Sequence, residues 1–257
     1  MNLALDQLLK FAVDCAIEAG KIHLTYFRKG NLEAETKSSV ADVVTRADKE
    51  SERFILAQIK ERFPEHAVLG EEGGMYEGDP DYCWVVDPLD GTNNFNQGLP
   101  VFAVSIAFQY KGEAQVGVVY APYLNELYTA VRGEGALMNG RPIRVSDKKE
   151  LNVSVLATGF PYDKGTNPEN NISNLATLLP GLRGIRRMGA AAYDLCCVAA
   201  GFLDGYWELN LYLWDICAGA LIVEEAGGVI HHFRNDRNVS IIAGNREIVE
   251  KIRAVVK

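Results

Sequence analysis

The stretch Trp84–Phe95, WVVDPLDGTNNF, decides how the rest of this chain is read. Trp84, Val85 and Val86 close an apolar run that suits a buried strand. Two aspartates three residues apart, Asp87 and Asp90, follow it. A carboxylate at the end of a buried strand is costly unless something compensates its charge. Pro88 predicts a turn directly after Asp87, and Gly91 permits backbone angles that a β-carbon resists. Such a turn folds Asp90 back toward Asp87. Facing carboxylates suit a hard divalent cation such as Mg²⁺, which takes oxygen ligands. Gly91, Thr92 and Asn93 then stand where a helix can begin, and free N–H groups there suit a phosphate. The plainer alternative is an Asx-type turn with solvated aspartates, and this stretch alone leaves both open.

Three other acidic segments bear on the choice. In LGEEGG, Glu71 and Glu72 follow a short apolar run and precede two glycines. They read as an acidic surface loop or as a further carboxylate brought in from a second strand end. In LYLWDICAGALIVEEAGG, Asp215 precedes a helix of small residues and is a natural N-cap. Capping and coordination are compatible, because a carboxylate has two oxygens. In VVTRADKE, Thr45 and Asp48 have capping-box spacing, although that box prefers Glu or Gln at the fourth position. Asp48 is either a helix start or an acceptor near a site. The chain has no GxSxG and no HExxH, and the adjacent His231 and His232 would point to opposite faces of a strand. Acidic residues with a metal are therefore the natural source of catalysis.

Composition narrows the class. The formal net charge of −8 argues against a general nucleic-acid binder. Arg183, Arg186 and Arg187 read as a solvated strand edge. Five cysteines with no CxxC pair read as buried, reduced thiols of a cytoplasmic protein rather than a disulfide framework or zinc site. The start, MNLALDQLLKFAVDC, is broken by charges at helical spacing and does not read as a secretory signal. No apolar run approaches the ~20 residues that span a bilayer, so no membrane partner is expected.

Periodicity predicts a helix over the first twenty-odd residues and a second from about Thr45 to Phe63, stopped by Pro64. Strand-like runs follow: AVLG, CWVVD, VFAVSIAFQY and AQVGVVYAP, then a hairpin in ELYTAVRGEGALMNG. Beyond about Ser146 strands and helices alternate: SVLATGF, a helix near Pro168–Leu179, GIRRM, the helix AAYDLCCVAAGF, DGYWELN, the helix WDICAGALIVEEAGG, VIHH, SIIAG and a closing helix NREIVEKIRAVV. The expectation is an α/β chain with an α+β subdomain over residues 1–145 and an α/β subdomain over 146–257, the second supplying Asp215.

Taken together, these motifs resemble the inositol monophosphatase family of Mg²⁺-dependent, lithium-sensitive sugar phosphatases. WVVDPLDGTNNF looks like its first signature and WDICAGALIVEEAGG like its second, with Gly70-Glu71-Glu72 and the VTRAD segment ending at Asp48 in the family's order. The resemblance spans nearly the whole chain. It implies a layered α/β/α/β/α sandwich, two or three Mg²⁺ ions and hydrolysis of a small phosphomonoester by metal-activated water. It assigns Glu71, Asp87 and the Leu89 carbonyl to a first metal, and Asp87, Asp90 and Asp215 to a second. It gives Glu71 a further role toward a third metal through water. Asp48 and Thr92 resemble the pair that orients and deprotonates the attacking water. Gly91 and Thr92 match the phosphate-binding amides, and Lys37 a lysine on a mobile loop. Glu208 matches a glutamate that accepts hydrogen bonds from ring hydroxyls, while Arg186 and the Gly189-Ala190-Ala191 turn fall where the family lines its substrate pocket. The implied substrate is inositol 1-phosphate. Fructose 1,6-bisphosphate, histidinol phosphate, 3′-phosphoadenosine 5′-phosphate, or a partner-binding regulatory role on the same fold are the alternatives. A homodimer is the family's expected assembly.

Overall fold

Leu8, Ala12, Cys15, Ala16 and Ala19 recur on one face and are all buried, which fixes helix α1 over Asn2–Tyr26. The computed structural model describes residues 2–30, 32, 34–36, 43–234 and 236–257, with side chains from Leu5 onward. A small pair, β1 (Glu35–Thr36) and β2 (Val43–Val44), leads into α2 (Arg46–Arg62). Thr45 and Asp48 close a reciprocal capping box at its start, so Asp serves where Glu or Gln is the usual choice.

Strands β3 (His66–Gly70), β4 (Gly74–Tyr76) and β5 (Asp79–Asp90) come next, then one turn of helix, α3 (Thr92–Asn96). The antiparallel run β6 (Ala103–Tyr110), β7 (Glu113–Ala121), β8 (Glu126–Val131), β9 (Gly135–Met138) and β10 (Arg141–Pro142) completes the first large sheet. Among the described residues it has eight strands in the order β10-β9-β8-β7-β6-β5-β3-β4, with β3 parallel to β5.

The second large sheet takes β11 (Val155–Thr158), β12 (Gly184–Arg186), β13 (Gly205–Leu211), β14 (Val229–Arg234) and β15 (Val239–Gly244), in the order β12-β11-β13-β15-β14. Its helices are α4 (Ile172–Leu178), α5 (Ala191–Ala199), α6 (Leu213–Glu225) and α7 (Arg246–Arg253). Helix α4 starts later than the spacing predicts. Asn171 sits in the left-handed region (φ 71°). Its side chain donates to the Gly159 carbonyl and the Thr158 hydroxyl and accepts from the Trp207 indole, so the chain is pinned to the sheet before the helix begins.

Side-chain alternation along the strands sorts the layers. Trp84 and Val86 face one way, under α1 and α2 with Ile55 and Ile59. Val85 and Ala107 face the other way, onto α5 and α6, whose opposite side packs on Ala157, Tyr206 and Ile241 of the second sheet. Leu156, Trp207 and Ile242 meet α4 and α7 on the outside. The result is the α/β/α/β/α sandwich. The middle helix layer is thin because its residues are small. A β-carbon on Gly219 of α6 would lie 2.8 Å from Leu195 of α5, and one on Gly117 of β7 would lie 2.9 Å from the Ala218 carbonyl. All five cysteines are buried and unpaired. Among the described residues no helix is long and apolar enough to cross a membrane.

Candidate active site

Gly70 of β3 is in register with Val86 of β5, and the Glu71 amide donates to the Val86 carbonyl at 3.2 Å. The next residue on each strand is acidic. Glu71 and Asp87 are therefore neighbours by strand register alone.

The strand does not turn away at Pro88, as the sequence suggests. It stays paired with β6 to Asp90, with Asp87 opposite Ser105 and Asp90 opposite Ala103. Three steps on β5 match two on β6, so one extra residue is accommodated as a bulge. A bulge tolerates a proline that cannot donate to the ladder. Asp87 Oδ1 accepts the Leu89 amide at 2.9 Å across it. The Leu89 side chain anchors the bulge in a cluster of Phe27, Phe95 and Phe102. His23 packs against the last two rings, and burial pushes it down to about 3, so it is neutral there.

Asp90 faces the start of α5. Its Oδ1 accepts the Ala191 amide at 3.0 Å, and its Oδ2 accepts Ala192 at 2.8 Å and Tyr193 at 3.3 Å. Burial still outweighs those amides and pushes the carboxyl up to about 7. Asp215 is not the N-cap. It is the third residue of α6 and accepts the Tyr212 amide at 2.8 Å, while Tyr212 itself occupies the cap. Burial, then Glu71 and Asp90, hold Asp215 well above the usual carboxylate range. Asp87 is raised by burial and then by Glu71, Asp90 and Asp215 in turn. Four acids from β3, β5 and α6 thus act on one another. Backbone amides donate to Asp87, Asp90 and Asp215, and among the described residues no three His, Cys, Asp or Glu side chains stand as a finished metal shell.

Asp48 resolves its two readings by doing both. Its Oδ2 accepts the Thr45 amide at 2.8 Å and the Thr45 hydroxyl at 2.5 Å, while its Oδ1 accepts the Thr92 hydroxyl at 2.8 Å. Burial pushes it up to about 6 against those bonds. The Thr92 hydroxyl also lies 3.0 Å from the Leu89 carbonyl. Gly91 holds φ 89°, and a β-carbon there would lie 2.9 Å from the Val101 carbonyl, so glycine is required where α3 begins.

Glu208 on β13 is half-buried. Burial pushes it up to about 7, opposed by the Tyr206 hydroxyl that donates to it and by Arg187. It also acts on Asp215, which ties it to the four acids. Gly159 leaves the space its carboxylate fills. Arg186, singled out in the sequence, is exposed and donates to its neighbour Ile185's carbonyl at 2.9 Å. The arginine whose charge reaches Glu208 and Asp194 is Arg187. Ala191 offers its amide to Asp90. Lys37 lies outside the described residues. Sequence alone does not single out Asp194, a buried acid raised by burial and then by Glu208 and Asp90. The signal was one charge in the apolar helix AAYDLCCVAA.

Comparison with known proteins gives the same picture. The inositol monophosphatase family model matches residues 4–257. The Nus factor SuhB of Pasteurella multocida is 44% identical over 254 residues, covering 96% of this chain and 95% of that protein. The Nus factor SuhB of Escherichia coli K12 is 43% identical over 253 residues, 96% of this chain and 94% of that one. The crystal structure of the extragenic suppressor protein suhB from Bartonella henselae superposes with TM-score 0.91 at 38% identity, covering 98% of both chains. The inositol monophosphatase from Anabaena superposes with TM-score 0.88 at 38% identity, covering 99% of this chain and 96% of that one. With its acids gathered at the ends of β3 and β5 and its layers matched throughout, the chain belongs to the inositol monophosphatase family.

Proposed function

We propose that this protein is a Mg²⁺-dependent phosphomonoesterase that hydrolyses inositol 1-phosphate to inositol and phosphate. The observation that carries the reading is the convergence of Glu71, Asp87, Asp90 and Asp215, where burial and then the neighbouring acids raise Asp87 and Asp215. An all-oxygen, all-acidic donor set fits a hard divalent cation. Each oxygen has a second lone pair, so a backbone bond and a metal bond can share it. In this reading Glu71, Asp87 and the Leu89 carbonyl would hold one ion, Asp87, Asp90 and Asp215 would hold another, and Glu71 would also serve a third. The bound ions would supply charge neutralisation and a water of lowered pKa.

The chain's own residues do the rest. Thr92 donates to Asp48 Oδ1, which leaves the hydroxyl oxygen free to accept from water. A carboxyl at about 6 is ionised at neutral pH, so Asp48 can take the proton that Thr92 relays. The first amides of α3, at Gly91 and Thr92, have no carbonyl one helical turn before them and face the phosphate. Glu208 accepts from ring hydroxyls, and Ala191 and Arg187 border the pocket. The same reading carries lithium sensitivity, a cytoplasmic location and a homodimer.

The test is steady-state hydrolysis of inositol 1-phosphate against fructose 1,6-bisphosphate, histidinol phosphate and 3′-phosphoadenosine 5′-phosphate. A much larger kcat/KM for one of the other three overturns the substrate and keeps the class. A second reading rests on the name Nus factor carried by relatives at 43–44% identity. It gives this chain a Nus-factor role beside turnover. A pull-down that recovers the same partners with wild type and Asp87→Asn separates that role from catalysis.

A further inference from the structure

We propose that Glu52 is a positioning residue that aims Glu71 at the metal site; this rests on Glu71 being a metal ligand. Glu52 is 3% exposed on α2, one helical turn beyond Asp48. A buried carboxylate is costly, and helix packing does not require one here. Its Oε2 accepts the Glu72 amide at 2.9 Å. The Tyr76 hydroxyl of β4 also bonds to it.

These contacts fix the backbone on both sides of Glu71. The Glu71 amide is held by the Val86 carbonyl of β5, and the Glu72 amide by Glu52 of α2. Two anchored peptide planes flank one Cα, so both of its dihedrals are set, and with them the direction of the Glu71 side chain. The turn is shaped around the same carboxylate. A β-carbon on Gly70 would lie 2.8 Å from Glu52 Oε2, and one on Gly73 would overlap the Tyr76 hydroxyl and lie 3.0 Å from Glu52 Oε1. Two glycines of the LGEEGG motif therefore make room for Glu52 and its partner. Asp48 reaches Thr92 from the first turn of α2, and Glu52 reaches Glu72 from the second. One rigid helix sets two sides of the site.

The experiment is calorimetric titration of the metal-free protein with MgCl₂, paired with the Mg²⁺ activation curve for inositol 1-phosphate hydrolysis. Groups that orient a metal ligand are worth about ten-fold or more in affinity. Glu52→Ala is expected to weaken Mg²⁺ binding by about that factor while KM at saturating Mg²⁺ stays within about two-fold. Glu52→Gln recovers most of the loss, because its amide oxygen still accepts from Glu72. Ile252→Val, a core change on α7, lowers stability and leaves the isotherm unchanged. A wild-type isotherm in Glu52→Ala overturns the proposal. If Glu52→Ala does not fold, Tyr76→Phe must show a smaller loss in the same direction, and an unchanged isotherm there overturns it. A wild type that binds no Mg²⁺ overturns the metal reading itself, and this inference with it.

Discussion

The Thr92 hydroxyl donates to Asp48 Oδ1 at 2.8 Å, across 44 residues of chain. The bond joins the first turn of α2 to the start of α3. It forms only because the Asp48 carboxylate has one oxygen left after Thr45 occupies the other. A side chain that closes a helix cap is thereby also the acceptor for a proposed catalytic hydroxyl.

Asp48→Asn therefore damages turnover more than folding. Three donors converge on Asp48, two from Thr45 and one from Thr92. An amide presents one acceptor and one donor, so one of those donors faces an N–H. Loss of a positioned base is expected to lower kcat by about 100-fold or more, with KM little changed. The weakened cap costs about 1 kcal/mol. Thr45→Ala disturbs the same cap and keeps most of kcat. Steady-state kinetics with thermal melts of both variants check the split, and equal kcat losses would refute it.

Metal-free protein should lose stability as pH rises. Asp90 is raised to about 7 and Asp48 to about 6, with Asp87 and Asp215 raised as well. An acid whose folded pKa lies above its unfolded value binds more protons when folded. Its stabilising contribution is present below about pH 4 and is lost as pH climbs to about 7. In EDTA, Tm falls from pH 5 to pH 8. Mg²⁺ replaces the lost protons, so it raises Tm strongly at pH 8 and weakly at pH 5. A Mg²⁺ shift of equal size at both values would contradict this.

Asp87→Asn should uncouple stability from activity. Asp87 is raised by burial and by three neighbouring acids, so removing its charge relieves repulsion in the metal-free protein. At pH 8 without metal the variant is expected to melt no lower than wild type. Its Mg²⁺-dependent rise in Tm disappears, and kcat drops by at least about 100-fold. A variant that melts well below wild type in EDTA would show that Asp87 is held mainly by favourable bonds rather than by proximity to other acids.

The layers were legible because they follow from period. Alternation in β5 and β6 and the helical spacing in α1 assign each side chain to a layer without three-dimensional knowledge. The acids of the site stood out because each lies at or near a strand end or a helix start, where a charge interrupts an apolar run. Three features were hidden. The bulge at Pro88 depends on pairing with β6, which a single segment does not carry. Arg186 and Arg187 are adjacent, and only the folded chain shows that it is Arg187 that lies over Gly189 and acts on Glu208. Glu52 is marked in the sequence only by its place four residues after Asp48, on the same face of α2.

Glu208 is expected to discriminate substrates rather than drive the chemistry. It lies on the second sheet, apart from Asp48 and Thr92, and the Tyr206 hydroxyl holds it in place. Hydrogen bonds to a charged group are worth about 1.5–3 kcal/mol, or roughly 10–100-fold in rate. Glu208→Gln should lower kcat/KM for inositol 1-phosphate by about that factor, and much less for 4-nitrophenyl phosphate, which has no ring hydroxyls to offer. Because burial raises Glu208 to about 7, its accepting form grows in through neutral pH. The ratio of kcat/KM for the two substrates should therefore rise from pH 6 to pH 8 in wild type and stay flat in Glu208→Gln. Gly159→Ala, whose β-carbon would overlap the Glu208 carboxylate, should reproduce the loss of discrimination. Equal losses on both substrates would mean that Glu208 acts through its charge on Asp215 and Asp194 instead of through the substrate.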